Sequence, residues 1–281
     1  MVVSELGDAL VVYKRKLDGV VKLYEEIQKL DQHRGDHVAQ LRTRVDKLAK
    51  LIEELDQVCV DTDRLRRWLG EYEPVLSQAE NELRARFGRE LEAALADKGF
   101  SLRGQYPELK SGLFTLQLDF IRGKATIWYG PRQERLEECP LRPADVASRL
   151  EHIMKRLGSG IPEPEFLGKL RQAYARQAPA ADAKGVPITA LLGEVAYLVQ
   201  DARFYQDPRK ELYRSYGRAD FSYDLYRLLR FLRVSYGDTD LRLAVATREY
   251  TKRRQGFLWI PDDESGKGTA YSHLRFEGKM P

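Results

Sequence analysis

The chain has 281 residues, of which 43% are hydrophobic and 32% are charged, and its formal net charge is +4. Two cysteines, Cys59 and Cys139, are too few for a disulfide framework and indicate reduced thiols. The N-terminus lacks a signal-peptide pattern, and no stretch approaches the roughly 18 apolar residues of a membrane helix, so we expect a soluble, cytoplasmic protein with no membrane partner.

A heptad pattern dominates residues 1–98. Two apolar series repeat at intervals of three and four residues: Val3, Leu6, Leu10, Tyr13, Leu17, Val20, Tyr24 and Ile27, then Val38, Leu41, Val45, Leu48, Ile52, Leu55 and Cys59. Such spacing predicts two long helices packed as an antiparallel coiled-coil hairpin. Between them, Gly35 can adopt a left-handed backbone and Asp36 can cap the second helix. A third helix, with Pro74 near its first turn, or self-association through the same stripe would cover the hairpin.

The apolar period changes to two after Gly99. LFTLQLDF at residues 113–120 predicts a strand with one buried face, RGK around Gly123 a turn, and ATIWYG the return strand. The preceding GQYPELKSG predicts a loop that includes at most one short strand. Three helices are then predicted, at PADVASRLEHIMKRL, EFLGKLRQAYARQ and ITALLGEVAYLVQD, with APAADAKGVP as a linker before the last.

The C-terminal third is predicted to combine one amphipathic helix with a hairpin. SYDLYRLLRFLRVSYG is the helix, LRLAVATREYTK a strand, RRQG a tight turn, FLWIP the return strand and AYSHLRFE a third strand. The fold class is therefore α+β, with an N-terminal antiparallel helical hairpin followed by a helix-rich body with small antiparallel β-hairpins. We expect a coiled-coil arm at residues 1–98, a small sheet plus helices at 99–180, and a basic helical region with a C-terminal β-hairpin at 186–281.

Motifs for catalysis are weak in this sequence. SGKGT at residues 265–269 lacks the glycine and hydroxyl positions of a phosphate loop and predicts a glycine-rich turn. His33 and His37 straddle a helix break, which favours a polar turn over a metal site. Glu108 and Lys110 are half of a metal-dependent nuclease signature, with no second carboxylate in the expected order. We therefore name no catalytic residue, metal or cofactor, and the sequence favours a non-enzymatic protein over an enzyme without deciding between them.

Basic and aromatic residues concentrate near the C-terminus. The net charges of residues 1–98, 99–202 and 203–281 are −3, +2 and +5, and residues 203–254 interleave eleven arginines and two lysines with seven tyrosines. Arginine binds phosphate in a forked geometry, and tyrosine stacks on bases. The candidate nucleic-acid-binding residues are Arg227, Arg230, Arg233, Arg248, Tyr250, Lys252, Arg253 and Arg254.

These features predict a non-enzymatic accessory protein that contacts nucleic acid through its basic C-terminal surface and assembles through its coiled coil, with itself or with a protein partner. The alternative is a scaffold or adaptor that docks a protein through the same arginine and tyrosine face, since both residue types are enriched at protein interfaces. A nuclease that uses Glu108 and Lys110 is the third hypothesis.

Overall fold

The chain is an α+β protein in a computed structural model, which describes residues 3–56, 63–178, 184–236, 240–252 and 256–277. It divides into two compact units. The helical unit comprises residues 1–93 and 119–124, and the mixed unit comprises residues 94–118 and 125–281. No helix within the described ranges is both long and apolar enough to cross a membrane. The three domains derived from the sequence stay a prediction.

Three long helices begin the chain: α1 Val3–Asp31, α2 Arg34–Asp56 and α3 Asp63–Ala96. Helices α1 and α2 pack antiparallel, which confirms the helical hairpin. Their shared core draws on both apolar series and on α3, with these buried residues: Val20, Ile27, Val38, Leu41, Val45, Leu48, Ile52, Leu55, Tyr72 and Leu76. The predicted stripe is thus covered in part by a third helix of the same chain. Cys59 lies outside the described residues.

Details of the predicted helix ends were wrong. Gly35 and Asp36 lie inside the first turn of α2, and the non-helical backbone falls on His37, with φ −119° and ψ 16°. Pro74 lies inside α3, because that helix begins at Asp63. A proline removes one backbone hydrogen bond from a helix. Here the buried side chains of Tyr72 and Leu76 on either side of it hold the helix on its core.

The first sheet has five strands whose order follows the chain: β1 Arg103–Gln105, β2 Glu108–Ser111, β3 Phe114–Asp119, β4 Lys124–Tyr129 and β5 Glu134–Pro140. Strands β3 and β4 and the turn at Gly123, where φ is 63°, confirm the prediction. The predicted loop GQYPELKSG instead includes the paired strands β1 and β2. All three residues of β1 are exposed, so it has no apolar alternation that could have marked it as a strand.

The helices of the mixed unit follow this sheet: α4 Pro143–Arg156, α5 Glu163–Gln177, α6 Ile188–Leu198, α7 Ala202–Gln206 and α8 Arg218–Tyr236. The two-residue strand β6, Val186–Pro187, precedes α6, and a 3-10 helix at Lys210–Leu212 precedes α8. Helices α4, α5, α6 and α8 agree with the predicted segments. Much of the predicted linker, residues 179–183, lies outside the described residues.

The second sheet corrects the predicted C-terminal hairpin. It contains β6 together with β7 Leu241–Val245, β8 Leu258–Pro261 and β9 Gly268–Phe276, and the short helix α9 Arg248–Lys252 lies between β7 and β8. Both β7 and β8 pair with β9, and Tyr271 of β9 lies opposite Val245 on one side and Leu258 on the other. They therefore occupy opposite edges of β9 and do not form a hairpin with a basic tip. The C-terminal hairpin is β8–β9.

The turn of the β8–β9 hairpin contains the SGKGT segment. Gly266 has a φ of +81°, and Pro261 lies opposite Gly268 in the register of the two strands. This confirms a glycine-rich turn in place of a phosphate loop. Strand β8 is buried along its whole length, which explains why its sequence is continuously apolar and does not alternate.

One hydrogen-bonded junction ties the two sheets to α8. Ser222 of α8 donates its hydroxyl to the backbone oxygen of Trp259, 2.5 Å away, and its Oγ lies 3.1 Å from the Tyr129 hydroxyl. The Tyr129 ring meets the Trp259 ring edge to face, with centroids 5.4 Å apart. Trp259, the tryptophan of the FLWIP segment, is therefore a buried core residue.

Candidate functional site

A groove of about 770 Å³ runs along one face of α8 in the mixed unit. Its walls come from the segment that leads into β1, the β2–β3 turn, α4, the start of α5 and the β8–β9 turn. The apolar side chains that line it are Phe100, Leu113, Phe114, Met154, Phe231 and Val234. Its polar and charged side chains are Ser101, Arg103, Glu163, Tyr223, Tyr226, Arg227, Arg230, Ser235, Glu264 and Ser265. Its volume lies within the usual range of ligand sites.

The α8 wall follows directly from helical periodicity. Six residues recur at intervals of one, three and four, which places them on one face of the helix: Tyr223, Tyr226, Arg227, Arg230, Phe231 and Val234. The opposite face of α8 is buried in the core of the mixed unit through Leu225, Leu228 and Leu232. The leucine pattern that predicts the helix therefore also fixes which residues line the groove.

Arg227 is held by an acidic residue at the start of α5. Its Nη2 donates to Glu163 Oε1 at 2.6 Å, and its Nη1 lies 3.9 Å from Asp224 Oδ1. Burial alone would raise the pKa of Glu163, but a backbone hydrogen bond and the one from Arg227 lower it below its usual value. Glu163 is therefore ionised at neutral pH and compensates the charge of Arg227 inside the groove.

Arg230 is also paired with a carboxylate, from the opposite wall. Its guanidinium forms an ion pair with Glu264 in the β8–β9 turn and donates to the Tyr226 hydroxyl at 3.1 Å. The hydrogen bond to Glu264 is the main reason why the pKa of Arg230 is raised. The guanidinium carbon also lies 5.6 Å from the centre of the Tyr226 ring, within cation–π distance.

A buried polar network positions the loop that leads to Glu163. Asp224 Oδ2 accepts hydrogen bonds from the Ser159 N–H at 2.7 Å and the Tyr216 hydroxyl at 2.9 Å. Arg214 donates to the backbone oxygens of Gly158 and Ser159, with an N···O distance of 2.7 Å to Gly158. Burial raises the pKa of Asp224, although the hydrogen bonds from Ser159 and Tyr216 oppose the shift. Asp224 thus holds the N–H group of Ser159, and Arg214 holds the carbonyl groups of Gly158 and Ser159.

The remaining predicted site residues are divided between two places. Arg233 lies one turn beyond Arg230, and it forms no ion pair with any described residue. Arg248 and Tyr250 lie on α9, where the Tyr250 ring meets His273 edge to face at 5.4 Å. Lys252 ends α9, whereas Arg253 and Arg254 lie outside the described residues. Within the described ranges, no residue of α9 lines the groove.

Many arginines of the basic C-terminal region are neutralised by carboxylates. Besides Arg227 and Arg230, Arg209 pairs with Asp207 and Arg218 pairs with Glu134, while Arg242 and Arg275 share Glu277. Paired guanidinium groups contribute less to a long-range positive potential than free ones. The positive electrostatic potential around these residues is therefore lower than the composition alone suggests.

The other candidate chemistries find little support in the geometry. Glu108 forms an ion pair with Arg132 at 2.5 Å, and no cluster of three or more His, Cys, Asp or Glu residues in the described part of the chain could hold a metal ion. Cys139 and His152 line a second cavity, but burial raises the pKa of the Cys139 thiol. A nucleophilic cysteine requires the opposite shift.

Comparison with protein-family models, curated proteins and solved structures finds no match to this chain. Functional inference therefore depends on the residues themselves. The sequence patterns identified Arg227 and Arg230, whereas Arg103, Glu163 and Glu264 were missed as part of the same site. No local signal marks these three, because the fold brings them to α8 from distant segments.

Proposed function

We propose that the protein is a non-enzymatic adaptor that binds a short segment of a partner protein in the α8 groove. The observation that carries the proposal is an apolar floor bordered by arginines that already have carboxylate partners. Protein interfaces have this composition, with an apolar centre, a polar rim and enrichment in tyrosine and arginine. Assembly through the N-terminal helices remains the second part of the proposal.

The lining charges indicate the chemistry of the partner segment. Three guanidinium groups face two carboxylates, which leaves the groove with one excess positive charge. The excess resides on Arg103, which is exposed at the rim and forms no ion pair with any described residue. A segment with one or two apolar side chains next to an acidic residue would fill the floor and pair with Arg103.

Selection from a displayed library of random peptides on the immobilised full chain tests the proposal. We expect enriched peptides that combine apolar residues with Asp or Glu. Val234 is 87% exposed at the groove, so Val234→Glu should weaken binding of a synthesised hit at least about tenfold without unfolding the protein. Val245→Glu is the matched control, because Val245 is also exposed but does not line the groove.

Arg103→Glu adds a test of the charge argument. It should weaken binding of acidic hits and leave binding of neutral apolar peptides nearly unchanged. An absence of enriched peptides, or equal losses in Val234→Glu and Val245→Glu, would contradict the proposal.

Nucleic-acid binding is the second candidate function. It is favoured by Arg233, which forms no ion pair with any described residue, and by the basic run from Lys252 to Arg254 in the sequence. The probes are fluorescein-labelled mixed-sequence duplex DNA and single-stranded RNA of equal length. If this candidate is correct, affinity falls steeply with salt and is lost in Arg253→Glu/Arg254→Glu. Weak binding that those substitutions do not change would reject this candidate. Cleavage of either probe in Mg²⁺ that is abolished by Lys110→Ala would instead indicate the nuclease.

A further inference from the structure

Helix α1 exposes aliphatic side chains on the side that faces away from its core. Val11, Leu17 and Val21 lie on that side, with exposed fractions of 68%, 41% and 56%. Val12 is 51% exposed but lies nine residues from Val21, about 180° around the helix, and belongs to another side. The inner side of the same helix is buried through Val20 and Ile27. Of the residues in the predicted heptad series, Val20 and Ile27 lie on the buried side, whereas Leu17 lies on the exposed side.

The exposed side of α1 combines aliphatic and charged residues. We name it the α1 outer face, and it comprises Val11, Lys14, Arg15, Leu17, Asp18, Val21, Lys22 and Glu25. None of its five charged residues forms an ion pair with a described residue, in contrast to the neighbouring Lys16 and Glu26, which pair with Glu54 and Arg44. The outer face thus has both apolar area and uncompensated charge.

The charges of this face are self-complementary in one direction only. Lys14 and Arg15 lie toward the N-terminus, and Glu25 lies toward the C-terminus. In an antiparallel pair centred at residues 19 and 20, Lys14 and Arg15 of one copy meet Glu25 of the other, and Asp18 meets Lys22. A parallel pair would place like charges opposite each other, which is destabilising.

We propose that the α1 outer face pairs antiparallel with the same face of a second copy of this chain. The two-fold arrangement uses each residue twice, as isologous dimers do. The face extends over residues 11–25, or about 22 Å along the helix. A contact of this size predicts a weak, reversible dimer in the micromolar range. The dimer rests on the assembly part of the proposed function and is independent of what binds in the α8 groove.

Sedimentation velocity of the full chain over a concentration series tests the dimer. Lys14→Glu and Glu25→Lys, each alone, place like charges across the two-fold axis and should raise the dissociation constant about tenfold. The double variant Lys14→Glu/Glu25→Lys restores the attraction between positions 14 and 25, so its dissociation constant should fall below that of either single variant. Circular dichroism checks that each variant is folded.

The apolar part of the face has its own matched pair of variants. Val21→Ser should weaken the dimer, whereas Val75→Ser should not, because Val75 is a partly exposed valine of α3 outside the outer face. A wild-type chain that stays monomeric at all concentrations overturns the proposal. A dimer that is indifferent to the single charge reversals, or a double variant that fails to recover, also overturns it.

Discussion

The indole ring of Trp259 lies directly against the α-carbon of Gly130. A Cβ atom built on Gly130 would be 2.6 Å from the Cε3 atom of Trp259, closer than real Cβ contacts. Gly130 also has a φ of +62°, in the left-handed region. The contact joins the end of β4 to the buried strand β8, so the packing of the two sheets depends on a residue without a side chain.

Gly130→Ala should therefore destabilise the protein by roughly 2–5 kcal/mol, because it combines the left-handed backbone penalty with overpacking. Gly123→Ala is the matched control, since Gly123 has a φ of +63° and no atom within 4 Å of a built Cβ. It should cost only about 1–2 kcal/mol. Urea denaturation of both variants measures the difference in stability. Equal losses would show that the contact with Trp259 does not restrict the side chain at position 130.

Local periodicity explains what the sequence could predict. The heptads determine two helices, and their short connection makes the antiparallel hairpin the simplest arrangement. The leucines of α8 similarly identify a helix with Arg227 and Arg230 on a separate face. In each case the signal lies within a few helical turns of one segment, so no knowledge of distant residues is required.

Strand partners and charge partners depend instead on tertiary structure. The sequence indicates that β7 and β8 are strands, but both pair with β9, and residues 248–252 between them form a helix. Glu163 and Glu264, which neutralise Arg227 and Arg230, lie 64 and 34 residues from them. A count of arginines along the chain therefore overstates the positive field.

Asp224 provides a test of the network that fixes the loop before α5. Asp224→Ala leaves the Ser159 N–H and the Tyr216 hydroxyl without their acceptor and should cost roughly 2–4 kcal/mol of unfolding free energy. Asp224→Asn keeps one acceptor oxygen for both donors and should cost about 1 kcal/mol. Thermal and urea denaturation measure both values, and an asparagine variant as unstable as the alanine variant would show that the negative charge itself is needed.

Two leucines of the predicted heptads test where the helical core lies. Leu48 is fully buried, and Leu48→Ala should cost roughly 2–5 kcal/mol. Leu17 is 41% exposed, so Leu17→Ala in dilute solution should cost less than about 1 kcal/mol. Urea denaturation, monitored by the circular dichroism signal of the helices, measures the stability loss of each variant. A large loss in Leu17→Ala at low protein concentration would show that the N-terminal half of α1 belongs to the core.

Tyr72 predicts a loss of stability in alkali. Burial, and then its hydrogen bond to Asp31, raise the pKa of Tyr72 from 10.0 to about 12. The unfolded chain loses this proton near pH 10, whereas the folded chain retains it up to about pH 12, so the stabilising contribution is complete below pH 10 and falls as the pH rises toward 12.

Tyr72→Phe should remove that pH-dependent contribution and cost roughly 1–2 kcal/mol at neutral pH through the lost hydrogen bond. Its unfolding free energy should therefore decline less between pH 10 and 12 than that of the wild type. Burial also raises the pKa of Tyr129 and Tyr216 in the mixed unit, so both proteins keep some alkaline sensitivity. The comparison uses urea denaturation at each pH together with tyrosinate absorbance, in which the variant lacks one group that titrates near pH 12. Identical alkaline declines in the two proteins would show that Tyr72 titrates as an exposed tyrosine does.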